Sequence, residues 1–244
     1  MQTTPRLAEP SYGSGPVATI DLTRPLAELT GVVNSVCDRA ESHPEPAPVI
    51  LEFGDPRHTP SPDWPGAIDI QAVNRWERAV RRLERLTAVT VVAARGTCRG
   101  PALDLLLATD VRIGATGLRL ELPVNDGHIW PGMSLYRLVR HLGLGQARRL
   151  VLGDAALSAR RACELGLLDQ VDDDVHGAVR AATARLGRLS GREITVRRQL
   201  LLEAATAEYD DALGLHLAAC DRELRRLRQS GAPTAPEPAG RSRA

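Results

Sequence analysis

The sequence contains no lysine, because each of its 31 basic residues is an arginine. This absence excludes a Schiff-base mechanism and a lysine acting as general base. Aromatic residues are also scarce, at 3% of the 244 residues, and Phe53 is the single phenylalanine. The 31 basic and 30 acidic residues leave a formal net charge of +1. A nearly neutral chain gives no electrostatic reason to expect nucleic acid or a membrane surface as a partner.

The four cysteines are widely separated, at positions 37, 98, 163 and 220. None belongs to a CxxC motif or to a Cys/His spacing typical of metal sites, so we expect reduced thiols and no metal. No apolar run is long enough to cross a bilayer. The N-terminal segment 1–15 lacks the basic and apolar regions of a signal peptide. These features predict a cytoplasmic protein.

The apolar pattern alternates between strand and helix periods along most of the chain. Strands are predicted over 17–22, 49–53, 89–94 and 118–122, and amphipathic helices over 26–41 and 68–86. Alternating strands and helices predict an α/β core. A glycine-rich loop is predicted over 125–132, and two C-terminal helices over 174–189 and 194–228. The chain is divided into a loose N-terminal arm over 1–15, the α/β core over 16–173, a helical region over 174–230 and a disordered tail over 231–244.

The strand over 89–94 leads into a glycine-containing turn and then a helix. Turns of this kind often direct backbone N–H groups at an anionic ligand. Pro101 stands in the middle of this turn and has no N–H to donate. The pattern indicates an anion-stabilising turn that lacks one of its donors. Asp104 lies early in this helix. Its carboxylate has either a catalytic role or a structural role, in which it stabilises the positive end of the helix dipole.

A proline-rich loop over 54–66 carries Asp55, His58 and Asp63. These residue types allow an acid/base or metal cluster, and a long loop in a compact domain is often functional. Their spacing among prolines favours a solvated loop instead.

Several short segments occur together in an order typical of one superfamily. They are the strand before Gly96, the turn at Gly100, segments 108–113 and 130–132, segment 135–138 ahead of Gly143, and segments 152–153, 159–162 and 166–169. Over residues 15–230 they resemble the enoyl-CoA hydratase/isomerase (crotonase) superfamily. The resemblance implies a spiral of ββα repeats followed by helices that mediate trimer formation. It also implies an acyl-CoA thioester substrate, no separate cofactor, and a homotrimer or hexamer.

The resemblance further implies an oxyanion hole of two backbone N–H groups that hold the thioester oxygen. The first donor falls on Pro101, between Gly100 and Ala102, so the Ala102 N–H is the candidate replacement. Losing one such donor typically costs about 10²–10³ in rate. The second donor falls on Gly66 or Ala67.

The two acid/base glutamates of the hydratases fall on Asp104 and Val124. Asp104 is one methylene shorter than glutamate, and a displacement of about 1 Å can cost about 10²-fold. Val124 cannot transfer a proton, so the two-carboxylate mechanism is incomplete. Asp126 and His128 are candidate bases from the same loop, with Glu121 nearby. Val124 and Trp130 are candidates for the acyl pocket, although a core or trimer-contact role for Trp130 remains open.

Segments 74–79, 102–110 and 130–140 most resemble the DpgB proteins of 3,5-dihydroxyphenylglycine biosynthesis. That resemblance implies a role beside a type III polyketide synthase, in forming 3,5-dihydroxyphenylacetyl-CoA from a malonyl-CoA-derived polyketide. Two alternatives stay open. One is a non-catalytic partner of the synthase, and the other is a generic enoyl-CoA hydratase or isomerase.

Overall fold

A computed structural model describes residues 15–53, 68–125, 127–153, 156–188 and 191–229. Its main sheet has five parallel strands in the order β1-β2-β3-β5-β10. These are β1 (Val17–Ile20), β2 (Val49–Phe53), β3 (Thr90–Ala94), β5 (Val111–Gly114) and β10 (Gln170–Val171). Every residue of β2 and β3 is buried, as expected for central strands of a parallel sheet covered on both faces.

Short strands form two smaller sheets. In the first, β6 (Arg119–Leu120) pairs in parallel with β4 (Thr97–Cys98) and antiparallel with β9 (Leu157–Ser158). In the second, β7 (Val124–Asn125) and β8 (His128–Ile129) form an antiparallel hairpin. The strand predicted over 118–122 is therefore shorter than expected. The segment predicted as a loop from residue 125 instead pairs across Gly127, whose φ of 77° suits a tight turn.

Eight helices are present in the described part of the chain. They are α1 (Leu26–Glu41), α2 (Ile70–Glu84), α3 (Pro101–Ala108), α4 (Ser134–Gly153), α5 (Ala159–Glu164), α6 (Val175–Leu186), α7 (Gly191–Ala204) and α8 (Tyr209–Gln229). Helix α2 begins after Asp69, whose side chain accepts the Ala72 N–H at 2.6 Å. Helix α4 is interrupted at Gly143, where φ is 72°. The single helix predicted over 194–228 is wrong, because Thr206 lies in a turn between α7 and α8.

The two faces of the main sheet bury different helices. Successive residues of a strand point to opposite faces, so Ile50 and Leu51 belong to different apolar clusters. The larger cluster packs α1, α2 and α3 against one face, and the smaller one packs α6 against the other. The described residues up to Thr195 form one compact unit and those from Val196 a second. The helical region predicted from residue 174 therefore divides, with α6 in the first unit and α8 in the second.

Within the described residues, no helix is both long enough and apolar enough for a bilayer span.

Candidate active site

The turn before α3 follows the geometry that its sequence predicts. Gly100 has φ 54° and ψ −125°, a conformation that disfavours any residue with a Cβ. Pro101 is the first helical residue, where its fixed φ fits and its missing N–H breaks no helical hydrogen bond. All eight residues of α3 are buried. The turn therefore holds the start of a rigid, water-excluded helix.

The backbone donors of this turn are only partly occupied. The Ala102 N–H donates to the Arg99 carbonyl at 3.2 Å, and the Asp104 N–H donates to the Gly100 carbonyl at 3.0 Å. Within the described ranges, no hydrogen-bond acceptor contacts the Gly100 N–H. Ala102, the expected replacement donor, thus has an acceptor of its own in the turn.

The Asp104 carboxylate is 3% exposed and accepts two hydrogen bonds from neighbouring helices. Trp76 Nε1 on α2 donates to Oδ2 at 2.9 Å, and Ser134 Oγ at the start of α4 donates to Oδ1 at 2.5 Å. Both donors are buried. Three helices therefore fix the carboxylate in one orientation.

Two charged side chains complete this cluster. Arg137 Nη1 lies 3.6 Å from Asp104 Oδ1 and 3.3 Å from Glu77 Oε2. Glu77 Oε1 also accepts the Met133 N–H at 3.2 Å, which ties α2 to the turn ahead of α4. We call Trp76, Glu77, Asp104, Ser134 and Arg137 the Asp104 cluster.

Burial raises the pKa of Asp104 to about 6, and the negative charge of Glu77 acts in the same direction. The hydrogen bonds from Ser134 and Trp76 and the positive charge of Arg137 lower this pKa, but by less. A carboxyl group with such a pKa exchanges protons near neutral pH, as a general acid or base must.

None of the other predicted site residues belongs to the Asp104 cluster, and several lie outside the described residues. His128 is exposed on β8, and Val124 is 36% exposed on β7. Trp130 is half-buried, and its ring lies so close to Gly132 that a Cβ there would meet it at 3.0 Å. Outside the described residues lie Gly66, Ala67 and Asp126, together with Asp55, His58 and Asp63 of the proline-rich loop.

An apolar cleft is lined in part by Leu103 of α3 and Leu138 of α4. It encloses about 310 Å³ of empty space, part of it open to solvent. Its lining consists of Glu121 and seven leucines: Leu103, Leu120, Leu122, Leu138, Leu150, Leu157 and Leu167. Val124 and Trp130 do not line this cleft. Among the described residues, no group of three His, Cys, Asp or Glu side chains is arranged to hold a metal ion.

Comparison with known proteins decides the family. No protein-family model matches the chain. A protein described as enoyl-CoA-hydratase, from Amycolatopsis orientalis, is 42% identical over 211 residues, which is 86% of this chain and 96% of that relative. The chain belongs to the enoyl-CoA hydratase (crotonase) superfamily.

Solved structures share the crotonase fold with the chain. An enoyl-CoA hydratase from Bacillus anthracis superposes with a TM-score of 0.72 at 18% identity, over 88% of this chain and 89% of that one. A Thermobifida fusca protein in complex with CoA superposes with a TM-score of 0.71 at 22% identity, over 88% of this chain and 92% of that one. The predicted crotonase-like α/β fold is confirmed.

Sequence reasoning about this crotonase selected Asp104 but missed the side chains that hold it. The prediction for Trp76 and Glu77 is limited to a helix over 68–86, and no role is predicted for Ser134 or Arg137. One feature of the sequence could have indicated these side chains. Asp104 is the one charged residue of the apolar helix PALDLLLA, and a buried carboxylate needs hydrogen-bond donors from neighbouring elements. Only the packing of α2 and α4 identifies those donors.

Proposed function

We propose that this chain binds an acyl-CoA thioester and acts as a hydratase-type lyase in which Asp104 is the proton-transferring carboxylate. The observation that carries the proposal is the buried Asp104 carboxylate, which has a pKa near 6 at the first acid/base position of the superfamily. No cofactor beyond the coenzyme A thioester is needed for this chemistry.

In the proposed mechanism, the Gly100 N–H donates to the thioester oxygen as negative charge develops there. Gly66 or Ala67 is the proposed second donor. Pro101, at the donor position that the resemblance implies, has no N–H, so the Gly100 N–H replaces it from the neighbouring residue; the outright loss of one oxyanion donor is worth about 10²–10³ in rate. The reaction therefore has to be one that proceeds with a weakened oxyanion hole.

Dehydration requires one proton to leave carbon and one to reach the departing hydroxyl. Asp104 takes the proton from the carbon next to the thioester, and the electron pair moves toward the thioester oxygen. The protonated carboxyl then gives this proton to the hydroxyl group on the neighbouring carbon. The electron pair returns from the thioester oxygen to form the C=C bond, the C–O bond breaks, and water leaves. One carboxylate suffices for this cycle, which suits a site with Val124 at the second acid/base position. Asp126 and His128 are proposed as auxiliary bases.

The finer proposal is that the substrate is a cyclised polyketide thioester derived from malonyl-CoA, and the product 3,5-dihydroxyphenylacetyl-CoA. Loss of water from such a ring forms an aromatic product and is strongly downhill, so a weak catalyst is adequate. Val124 and Trp130 are the proposed walls of the acyl pocket. The protein would act in the cytoplasm beside a type III polyketide synthase, as a homotrimer or hexamer.

A second candidate function is a non-catalytic partner of that synthase. The observation in its favour is the closed set of contacts around Asp104, because both carboxylate oxygens already accept hydrogen bonds from protein donors. A generic enoyl-CoA hydratase agrees with the name of the Amycolatopsis relative, but the absence of a carboxylate at Val124 disfavours it.

The deciding experiment incubates the full chain with a type III synthase and malonyl-CoA and follows the products by mass spectrometry. Wild type is compared with Asp104→Asn, and Asp38→Asn on the exposed side of α1 is the matched control. If wild type and control raise dihydroxyphenylacetyl-CoA and Asp104→Asn does not, the lyase assignment holds. If all three raise it equally, the chain is an accessory subunit. Hydration of crotonyl-CoA at a comparable rate would favour the generic hydratase.

A further inference from the structure

The guanidinium of Arg137 lies between two carboxylates that compete for it. A single nitrogen, Nη1, makes the contacts at 3.3 Å to Glu77 and at 3.6 Å to Asp104. Arg137 is 3% exposed, so little water is available to screen these charges. One cation cannot neutralise two carboxylates, and the shorter contact goes to Glu77.

We propose that Glu77 is a positioning residue that sets the pH at which Asp104 ionises, by holding Arg137 and by adding a second negative charge beside it. This inference rests on the proposed role of Asp104 as the proton-transferring group. Two like charges that share one buried cation cannot both be fully stabilised, and the more deeply buried one is protonated first. Asp104 is that group, since 4% of its side chain is exposed against 18% for Glu77.

The elements packed against α3 supply few other charges. Helix α2 contributes Glu77 with the neutral Trp76, and α4 contributes Arg137 with the neutral Ser134. Helix α4 also places His141 against the end of α3, with Nε2 at 2.8 Å from the Leu107 carbonyl, and burial lowers the pKa of this imidazole. Strand β4 contributes Cys98, a thiol whose pKa is raised by burial, so that it is uncharged near neutral pH. Glu77 and Arg137 are therefore the charged side chains with the strongest effect on Asp104 among the described residues.

Arg137 also has a donor that nothing uses. Its Nε is buried and has no hydrogen-bond partner within the part of the chain that the structure describes. The two carboxylate contacts at Nη1 are thus its main anchors in this region. When the charge of Glu77 is removed, Asp104 is the remaining carboxylate in contact with Arg137. The ionised form of Asp104 is then stabilised relative to the protonated form.

Glu77→Gln separates this electrostatic effect from the packing of the helices. The glutamine retains an oxygen that accepts the Met133 N–H, so the link between α2 and the turn ahead of α4 persists. It removes the negative charge that raises the pKa of Asp104. Glu84→Gln is the matched control, because it makes the same change on the same helix, at a carboxylate that is paired with Arg81 at 2.8 Å.

The test uses the indole N–H of Trp76, which donates directly to Asp104, as the reporter of its charge. In ¹H–¹⁵N spectra of the tryptophan-labelled full chain, the three indole signals are assigned with Trp64→Phe and Trp130→Phe. We expect the Trp76 signal to titrate with a midpoint of about 6 in wild type. Glu77→Gln is expected to lower the midpoint by about one pH unit, Glu84→Gln to leave it unchanged, and Asp104→Asn to abolish the transition.

An unchanged or higher midpoint in Glu77→Gln overturns the proposal. So does a wild-type Trp76 signal that does not titrate with Asp104. Because the titration needs no substrate, it fails or succeeds separately from the proposed lyase activity. A lowered midpoint together with full product formation by Asp104→Asn would keep the role of Glu77 and reject the catalytic role of Asp104.

Discussion

Asp104 lies in an environment that opposes its own charge. Burial and the neighbouring Glu77 favour the protonated acid, whereas Ser134, Trp76 and Arg137 favour the carboxylate. The first set has the larger effect, and the pKa lies above the ordinary value of 3.8. The same contacts that orient the group therefore leave it able to bind a proton near neutral pH.

The stability of the protein is expected to depend on pH through this group. The pKa of Asp104 is about 6 in the folded chain, and its ordinary value of 3.8 applies to the unfolded chain. Between pH 3.8 and pH 6 the folded state therefore binds more protons than the unfolded state. The contribution of Asp104 to the free energy of unfolding is largest below pH 3.8 and is lost as the pH rises through 6. Replacing the group by Asn removes this loss, which amounts to about 3 kcal/mol.

The measurement is urea unfolding of wild type and Asp104→Asn at several pH values between 4 and 8. The free energy of unfolding of the variant, relative to wild type, should increase across this range. A difference that stays constant with pH would contradict the raised pKa.

Ser134→Ala is expected to raise the pH at which Asp104 ionises. The hydroxyl donates to the carboxylate at 2.5 Å and stabilises its charged form, so its removal favours the acid. Loss of this buried hydrogen bond also costs about 1–3 kcal/mol of stability. The Trp76 indole titration and urea unfolding measure the two effects. Ser35→Ala is the control, since that hydroxyl lies at an exposed position of α1 and donates to the Gly31 carbonyl of its own helix. A midpoint that falls in Ser134→Ala would contradict the assigned donor role.

At the scale of secondary-structure elements, the start of α3 combines two opposing requirements. A proline at the first helical position stabilises the entry into the helix, because its φ is already fixed. The same proline removes an N–H from the end of the helix that faces the proposed oxyanion. This chain therefore has a well-defined turn and a reduced set of donors.

Pro101→Ala restores the missing N–H while retaining a residue that is compatible with a helix. If the proposed thioester site is correct, turnover should rise, with about 10²–10³ as the upper limit set by one oxyanion donor. Stability should fall by about 0.4–1 kcal/mol, because the unfolded chain gains freedom. Pro25→Ala is the control, as it changes a proline at the start of α1. Equal kcat/KM values for wild type and Pro101→Ala would show that this position donates nothing to the substrate.

Sequence patterns predict long helices and strands with clear boundary residues better than short strands or breaks between helices. The helix over 26–41 and the strand over 49–53 match α1 and β2, because the apolar period and the flanking prolines mark both boundaries. The hairpin of β7 and β8 was not expected, since its strands are two residues long and carry no alternating pattern. The break at Thr206 was also missed, because the apolar pattern continues through it.

At the scale of the whole molecule, α8 carries a row of exposed apolar side chains. None of its residues is buried. Its exposed apolar side chains are Tyr209, Leu213, Leu215, Leu217, Leu224 and Leu227. Residues 213, 217, 224 and 227 recur at helical spacing, which is typical of a contact surface. The surface supports the proposed homotrimer or hexamer.

Leu217→Asp is expected to dissociate the proposed oligomer, because a carboxylate buried in an apolar interface loses its hydration. Light scattering coupled to size exclusion measures the mass of the particles. Ile70→Asp, at a residue that is 75% exposed on α2, is the control and should leave the mass unchanged. A wild-type chain that elutes as a monomer would contradict the oligomer.

The amino-acid pattern is enough to predict the α/β class, the start of α3 and Asp104 as a candidate site residue. These features are local, because apolar period, turn residues and the lack of an N–H in proline are properties of neighbouring residues. The hydrogen-bond partners and the pKa of Asp104 depend instead on contacts between residues that are distant in the chain. Trp76 is 28 residues from it and Ser134 is 30, so no local pattern relates them. Their contacts arise from the packing of three helices, and the burial that this packing produces sets the pKa.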